Sequence, residues 1–226
     1  MKIGEEDIKL IFTSLLSGAL GTLIVFFVTL NNQYWQRRQE NRPHVKVEEV
    51  SANLNLRNVE FTKYTKLIIT DDYQEILKEA KKQGVIDDEG FAKTNFNYLN
   101  VKNVGKGNVL EAKVKISMIS HSEEQLKSWS IVVDLPIIED GEELFVPTDK
   151  MISVGASYYI DHIELFYKSN LGEKLKYENS TIHEADDRRT IIETFYRKRF
   201  LIGGYKKIYN IKGRSVSWML LPIKKK

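Results

Sequence analysis

Cysteine is absent from the 226 residues, which excludes disulfide staples, thiolate metal sites and a cysteine nucleophile. Histidine is nearly as scarce. His44, His121, His162 and His183 lie far apart, and none has the i, i+4 partner of a zinc-binding helix. No nucleophile elbow, P-loop or dinucleotide fingerprint occurs. The densest ligand-like set, His183 with Glu184, Asp186 and Asp187, reads as the acidic start of a helix, where carboxylates offset the dipole. Asp161 and His162 are neighbours on an expected strand and so face opposite ways. The acidic groups Asp71-Asp72, Asp87-Asp88-Glu89 and Glu139 to Glu143 fall at turns or helix starts and read as solvated surface. Gly105-x-Gly107 leads into a strand rather than a helix, so it suits a hairpin better than a phosphate cradle. No catalytic residue, metal ligand or cofactor is expected from these patterns, and none of them points to an enzyme.

Charge is missing from one place. Leu10 to Leu30 is an uncharged run of 21 residues, and at 1.5 Å per residue it spans roughly 30 Å, the thickness of the hydrocarbon layer. Backbone polar groups in hydrocarbon must be bonded internally, so the run is predicted to be a helix. Glu5, Glu6 and Asp7 precede it where a signal peptide carries basic residues, which favours a retained transmembrane helix. Lys2 and Lys9 stand before the run, against Arg37, Arg38, Arg42 and Lys46 after it. That bias predicts a short external N-terminus and a cytoplasmic C-terminal domain in a single-pass membrane protein. Tyr34 and Trp35 occupy the interfacial level. Along one side, Ser14, Ser17, Gly18 and Gly21 give small-xxx-small spacing, a candidate helix–helix contact for a homo-oligomer.

The net charge of +3 is unevenly spread. From Arg188 onward, twelve Lys or Arg face the single acid Glu193, a net of +11, so the other 187 residues carry −8. The candidate anionic-ligand or membrane surface is Arg188, Arg189, Arg197, Lys198, Arg199, Lys206, Lys207, Lys212 and Arg214. Phe195, Tyr196, Phe200, Tyr205, Tyr209 and Trp218 are interleaved with these charges. Three readings stay open: a folded strand pair with a solvated basic face, attraction to anionic lipid, or stacking and phosphate contact with a nucleic acid or nucleotide.

Between helix and tail, the pattern is of short strands. Residues 31–42 are polar and read as a juxtamembrane linker or a continuing helix, stopped by Pro43. Val45 and Val47 alternate with Lys46 and Glu48. Phe61 to Thr70 is apolar-rich. Leu110, Ala112, Val114, Ile116 and Met118 alternate strictly with polar residues. Shorter runs follow at Ile131 to Val133 and Leu144 to Val146, and Ile163, Leu165 and Tyr167 share a face. Asp72 with Glu75 forms a capping box opening a helix that carries Tyr73, Ile76, Leu77 and Ala80 on one side and ends at Gly84. A second helix is predicted after Asp187, with Ile191, Ile192, Phe195 and Tyr196 on one face and Gly203-Gly204 as its stop.

The stretch Tyr98 to Gly107, containing Asn103-Val104-Gly105-Lys106-Gly107, resembles the strand and turn of bacterial immunoglobulin-like modules. Glu139-Asp140-Gly141-Glu142 is similar to their turn before a strand, and Ile163 to Tyr177 is similar to their closing hairpin. Asn108-Val109-Leu110 departs from the small residues that usually follow the glycines. The resemblance covers about residues 96–177 and implies a fold without implying an activity. The expected fold class is mainly β: an N-terminal transmembrane helix, then an immunoglobulin-like β-sandwich with one or two accessory helices. The expected divisions are a tail (1–9), the helix (10–30), a linker (31–42), the sandwich (43–187) and a basic segment (188–226). The expected function is a membrane-anchored binding or sensing module for a protein partner or small signal. The alternative is a membrane-acting effector whose sandwich senses a nucleotide or foreign component and whose helix oligomerises.

Overall fold

In the computed structural model, residues 4–53, 56, 65–83, 95–121, 126–149, 158–183, 189–199 and 203–214 are described. The chain divides between Arg42 and Pro43 into two units.

The first unit is α1, Glu5–Glu40, 36 residues without a break and so about 54 Å long. It carries the one helix among the described residues that is long and apolar enough to cross a membrane. Its described apolar side chains are exposed; Leu10, Phe12 and Val25 are each more than 60% exposed. The polar residues in the run are satisfied locally. Thr13, Ser17, Thr22 and Thr29 donate their hydroxyls to the carbonyls of Lys9, Thr13, Gly18 and Val25, at 2.7–2.8 Å. Those four hydroxyls are thereby not left to seek water, which suits hydrocarbon surroundings. The helix runs on through the polar stretch to Glu40, and the Arg38 guanidinium lies 4.6 Å from the Tyr34 ring centroid.

The second unit is mainly β. Its elements are β1 (Val45–Asn53), β2 (Thr65–Leu67), α2 (Asp71–Lys82), β3 (Asn95–Asn103), β4 (Leu110–His121), β5 (Leu126–Leu135), β6 (Glu143–Pro147), β7 (Tyr158–Lys168), β8 (Lys174–His183), β9 (Arg189–Lys198) and β10 (Tyr205–Arg214). They form a four-stranded sheet, β1-β3-β6-β2, and a six-stranded sheet, β10-β9-β8-β7-β4-β5. All pairs are antiparallel except β2 with β6. The main core lies between the sheets. Val45, Val47, Leu99, Val101, Leu144 and Val146 from the first meet Val114, Ile116, Leu165 and Tyr177 from the second. On the far side of the first sheet, Tyr73 and Ile76 of α2 pack on Ala52, Phe96, Tyr98 and Phe145. The four-stranded sheet is thus covered on both faces. Every residue of β6 is buried, and its sequence Glu-Leu-Phe-Val-Pro shows none of the alternation of a half-exposed strand.

Several expectations meet corrections. Residues after Asp187 make a strand, β9, rather than a second helix. The Ile191, Ile192, Phe195, Tyr196 spacing does fit a helical face, but β-branched and aromatic residues also suit a pleated surface, and β8 offers a partner edge. Ile191 pairs with Thr181 and Phe195 with Tyr177. Gly203 and Gly204, both at positive φ, turn the chain into β10 instead of ending a helix. β9 and β10 thereby continue the same sheet past residue 187. Helix α2 is capped by Thr70, whose hydroxyl accepts the Tyr73 amide at 3.2 Å, rather than by Asp72; Gly84 lies outside the described residues. In β4, Leu110 leaves the buried row because Glu111, at φ 46°, interrupts the register. In β7, Ile160 and Ile163 both enter the core three residues apart, so the alternation assumed at Asp161 and His162 fails. Of the strand predicted over 61–70, only 65–67 is β2, and residues 61–64 are not described.

Candidate functional site

The basic residues divide between the two ends of the β9–β10 hairpin. Lys198, Arg199, Lys206 and Lys207 gather at its glycine turn, where the Arg199 amide bonds the Gly204 carbonyl at 3.0 Å. All four are exposed. Arg197 faces inward instead and lies 3.6 Å from the buried Glu173 carboxylate. Lys212 stands near the opposite end, where register places Arg214 beside Thr190 and Arg189 beside His183. Arg188, Phe200 and Trp218 lie outside the described residues, as do Glu184, Asp186 and Asp187.

The interleaved aromatics are engaged in packing. Phe195 stacks on Tyr209 at 4.5 Å and 22°, meets Tyr177 edge-on at 5.1 Å, and touches the ring of His44. His44 Nδ1 lies 3.0 Å from the Tyr209 hydroxyl. Tyr205 meets Phe166 edge-on, and Tyr196 lies under the Lys176 ammonium.

On the outer face of the six-stranded sheet, Lys176 pairs with Glu164 (2.6 Å) and Glu178 (3.1 Å), and Lys115 reaches Glu164 at 3.9 Å. His162 lies 3.6 Å from Glu178 and bonds Ser180 through Nδ1. Desolvation works to raise the Glu164 pKa, but the Lys176 hydrogen bond and the charges of Lys176, His162 and Lys115 outweigh it and hold the carboxyl below its usual range. The arrangement is a cross-strand ion ladder with matched charges, a stabilising device.

Two further polar clusters clasp the sheets. The Asp149 carboxylate, 8% exposed, accepts the Asn97 amide at 2.8 Å and the Tyr158 hydroxyl. Burial, then the Asp149 charge, pushes the Tyr158 hydroxyl well up, so it remains a donor. Asn103, fully buried, gives its amide to the carbonyls of Gly107, Ile138 and Glu139 and accepts from the Gly105 amide. That locks the Gly105-x-Gly107 loop as the crossing from β3 to β4, which lie in different sheets, so the loop is not the hairpin expected from the sequence. The acidic turn beside it is only partly solvated. Glu142 and Glu143 are buried: Glu142 accepts the Glu139 amide and pairs with Lys66, and Glu143 accepts the Thr65 hydroxyl at 2.6 Å. They hold the short strand β2 in place, a role that the acidic run alone did not signal.

In α1, Gly18 and Gly21 have no atom within 4 Å of where a Cβ would stand, and Ser17 bonds within its own helix. A surface absent from the expectations lies along β1. The six-stranded sheet is wider than the four-stranded one, and beyond β1 an open groove of about 580 Å³ runs over the inner face of β8, β9 and β10. Reading residues 189–198 as a helix concealed it, since the period-two pair Ile191 and Glu193 is what faces the groove. No protein-family profile, curated protein or solved structure matches the chain.

Proposed function

We propose that the chain is a membrane-anchored binding module, holding a cytoplasmic β-sandwich at the bilayer surface to engage a protein partner or a small signal. The observation that carries this reading is the apolar stretch of α1, unburied anywhere in the protein, joined to a separate domain with a complete core of its own. Surface of that size and apolarity is matched by lipid rather than water. The cytoplasmic assignment rests on Arg37, Arg38, Arg42 and Lys46 following the span. An immunoglobulin-like relationship draws support from strand order: β1-β3-β6 facing β8-β7-β4-β5 parallels A-B-E facing G-F-C-C′ of that sandwich. Strands β2, β9 and β10 are additions to that plan.

The hairpin favours lipid over nucleic acid as the anionic partner of the basic surface. Four of its exposed charges gather at the glycine turn, whereas Phe195 is buried and Tyr209 stacks on it and meets His44. Stacking of bases needs rings presented to solvent.

Protease treatment of intact cells and of inverted membrane vesicles, with a C-terminal epitope, tests the reading. The epitope is expected to survive on intact cells and to be lost from inverted vesicles. Loss from intact cells would refute the cytoplasmic placement.

A further inference from the structure

We infer that the end of the sandwich at which β1 begins is a bilayer-docking face, with aliphatic loop tips set among cations against the anionic headgroups of one leaflet. The inference rests on the reading of α1 as an anchor and of lipid as the hairpin's partner, and extends it from one turn to four connections.

Topology gathers these connections. β1 starts at Val45 opposite Asn103, the last residue of β3, and Lys102 stands opposite Glu143, the first of β6. In the other sheet Leu110 opens β4 opposite Lys168, the last of β7, and Ala112 lies opposite Leu135, the last of β5. Lys168 in turn faces Lys174, and Lys198 faces Tyr205. The β3–β4, β5–β6, β7–β8 and β9–β10 connections therefore all emerge at one end. They are also tied together. The Val104 amide bonds the His44 carbonyl at 2.7 Å, and Asn103 reaches the carbonyls of Ile138 and Glu139. The Asn108 amide bonds the Asn170 side chain at 3.2 Å, and Arg197 holds Glu173 at 3.6 Å.

Composition selects the occupant. Single exposed aliphatics are ordinary on a protein surface, but here each of three connections offers one: Val104 (55% exposed), Ile137 (51%) and Leu171 (41%). The fourth offers Lys198, Arg199, Lys206 and Lys207, while Lys106 and Lys174 stand beside the first and third, all exposed. Among the described residues of these connections, the exposed acids are Glu139 and Asp140. Aliphatic tips gain from the acyl boundary of a leaflet and cations from its anionic headgroups.

The lengths allow contact. Past Leu30, α1 continues from Asn31 to Glu40, about 15 Å. His44 packs beside Phe195, and β9 runs on from Phe195 to Lys198 before its turn, about 10 Å. The projecting turn recovers much of the helical overhang, and tilting of the span supplies the remainder.

The chain has no cysteine, so single probes can be placed cleanly. Val104→Cys, Ile137→Cys and Leu171→Cys, with Ile69→Cys and Ile182→Cys at the opposite end as controls, are labelled with a polarity-sensitive fluorophore. Each full-length variant is placed in nanodiscs of mixed phosphatidylglycerol and phosphatidylcholine carrying a spin label high on the acyl chain. Quenching at the three loop sites is expected to exceed that at both controls at least threefold, and to fall in phosphatidylcholine alone. All five positions lie on exposed side chains, so thermal unfolding is expected to stay unchanged. Loop probes quenched no more than the controls, or quenched equally in both lipids, would overturn the inference while leaving the anchor intact. Failure of the chain to enter the discs would overturn the anchor and the docking face together.

Discussion

Buried polar side chains, rather than exposed charges, decide what single substitutions do in the sandwich. Tyr158 is the clearest case, since its hydroxyl is the partner of an almost buried carboxylate. Tyr158→Phe keeps the ring on Trp129 (5.3 Å) and leaves Asp149 short of a donor. A loss of about 1–3 kcal/mol in urea unfolding is expected. Glu164 sets a pH dependence. Its carboxyl is held below the ordinary value of 4.5, so the stabilisation is complete above that value and fades as pH falls through the folded-state pKa. Thermal scans from pH 6 to 3 are expected to show Glu164→Gln losing less stability on acidification than the parent. A steeper loss in the variant would contradict the ion ladder.

Hairpin turns fix the register of the elements they join. Gly203 and Gly204 sit at φ 66° and 73° with open space around each, so an added methyl meets no atom and the cost is conformational. Gly204→Ala is expected to cost about 1–2 kcal/mol, read by denaturant unfolding; no change would mean that the turn rearranges freely. The same hairpin shows where sequence reasoning reached and where it stopped. Ala112 to Met118 alternates cleanly, and the strand is there with four residues buried. The Ile191 to Tyr196 segment satisfies both a helical and a pleated period, and only the free edge of β8 decides between them. Leu110 fits the alternation but is displaced by a backbone irregularity at Glu111 that side-chain type does not encode. Burial of Glu142 and Glu143 depends on Lys66 and Thr65, more than 70 residues away in sequence. The apolar run, by contrast, is a local property and was legible, although its helix starts at Glu5, inside the expected tail, and continues to Glu40. The groove was not, because it exists only through the unequal width of two sheets.

At the scale of the whole molecule, one chain carries an apolar helix, a sandwich and a basic hairpin turn. Lys198, Arg199, Lys206 and Lys207 extend from one turn, and each basic residue near an anionic leaflet contributes about 1 kcal/mol. With full-length protein in nanodiscs, replacing neutral by anionic lipid is expected to protect the hairpin from trypsin at low salt and less so at high salt. The double substitution Lys206→Glu, Lys207→Glu is expected to abolish that lipid dependence. Equal cleavage in both lipids would remove the membrane-orienting role of the hairpin. The central claim, however, is that α1 is a retained membrane anchor. Alkaline carbonate extraction of membranes from cells expressing the full chain, followed by intact-mass measurement of the pelleted protein, tests it most directly. The protein is expected to stay in the pellet with residues 10–30 present in its mass. Release into the supernatant, or a mass lacking that segment, would contradict it.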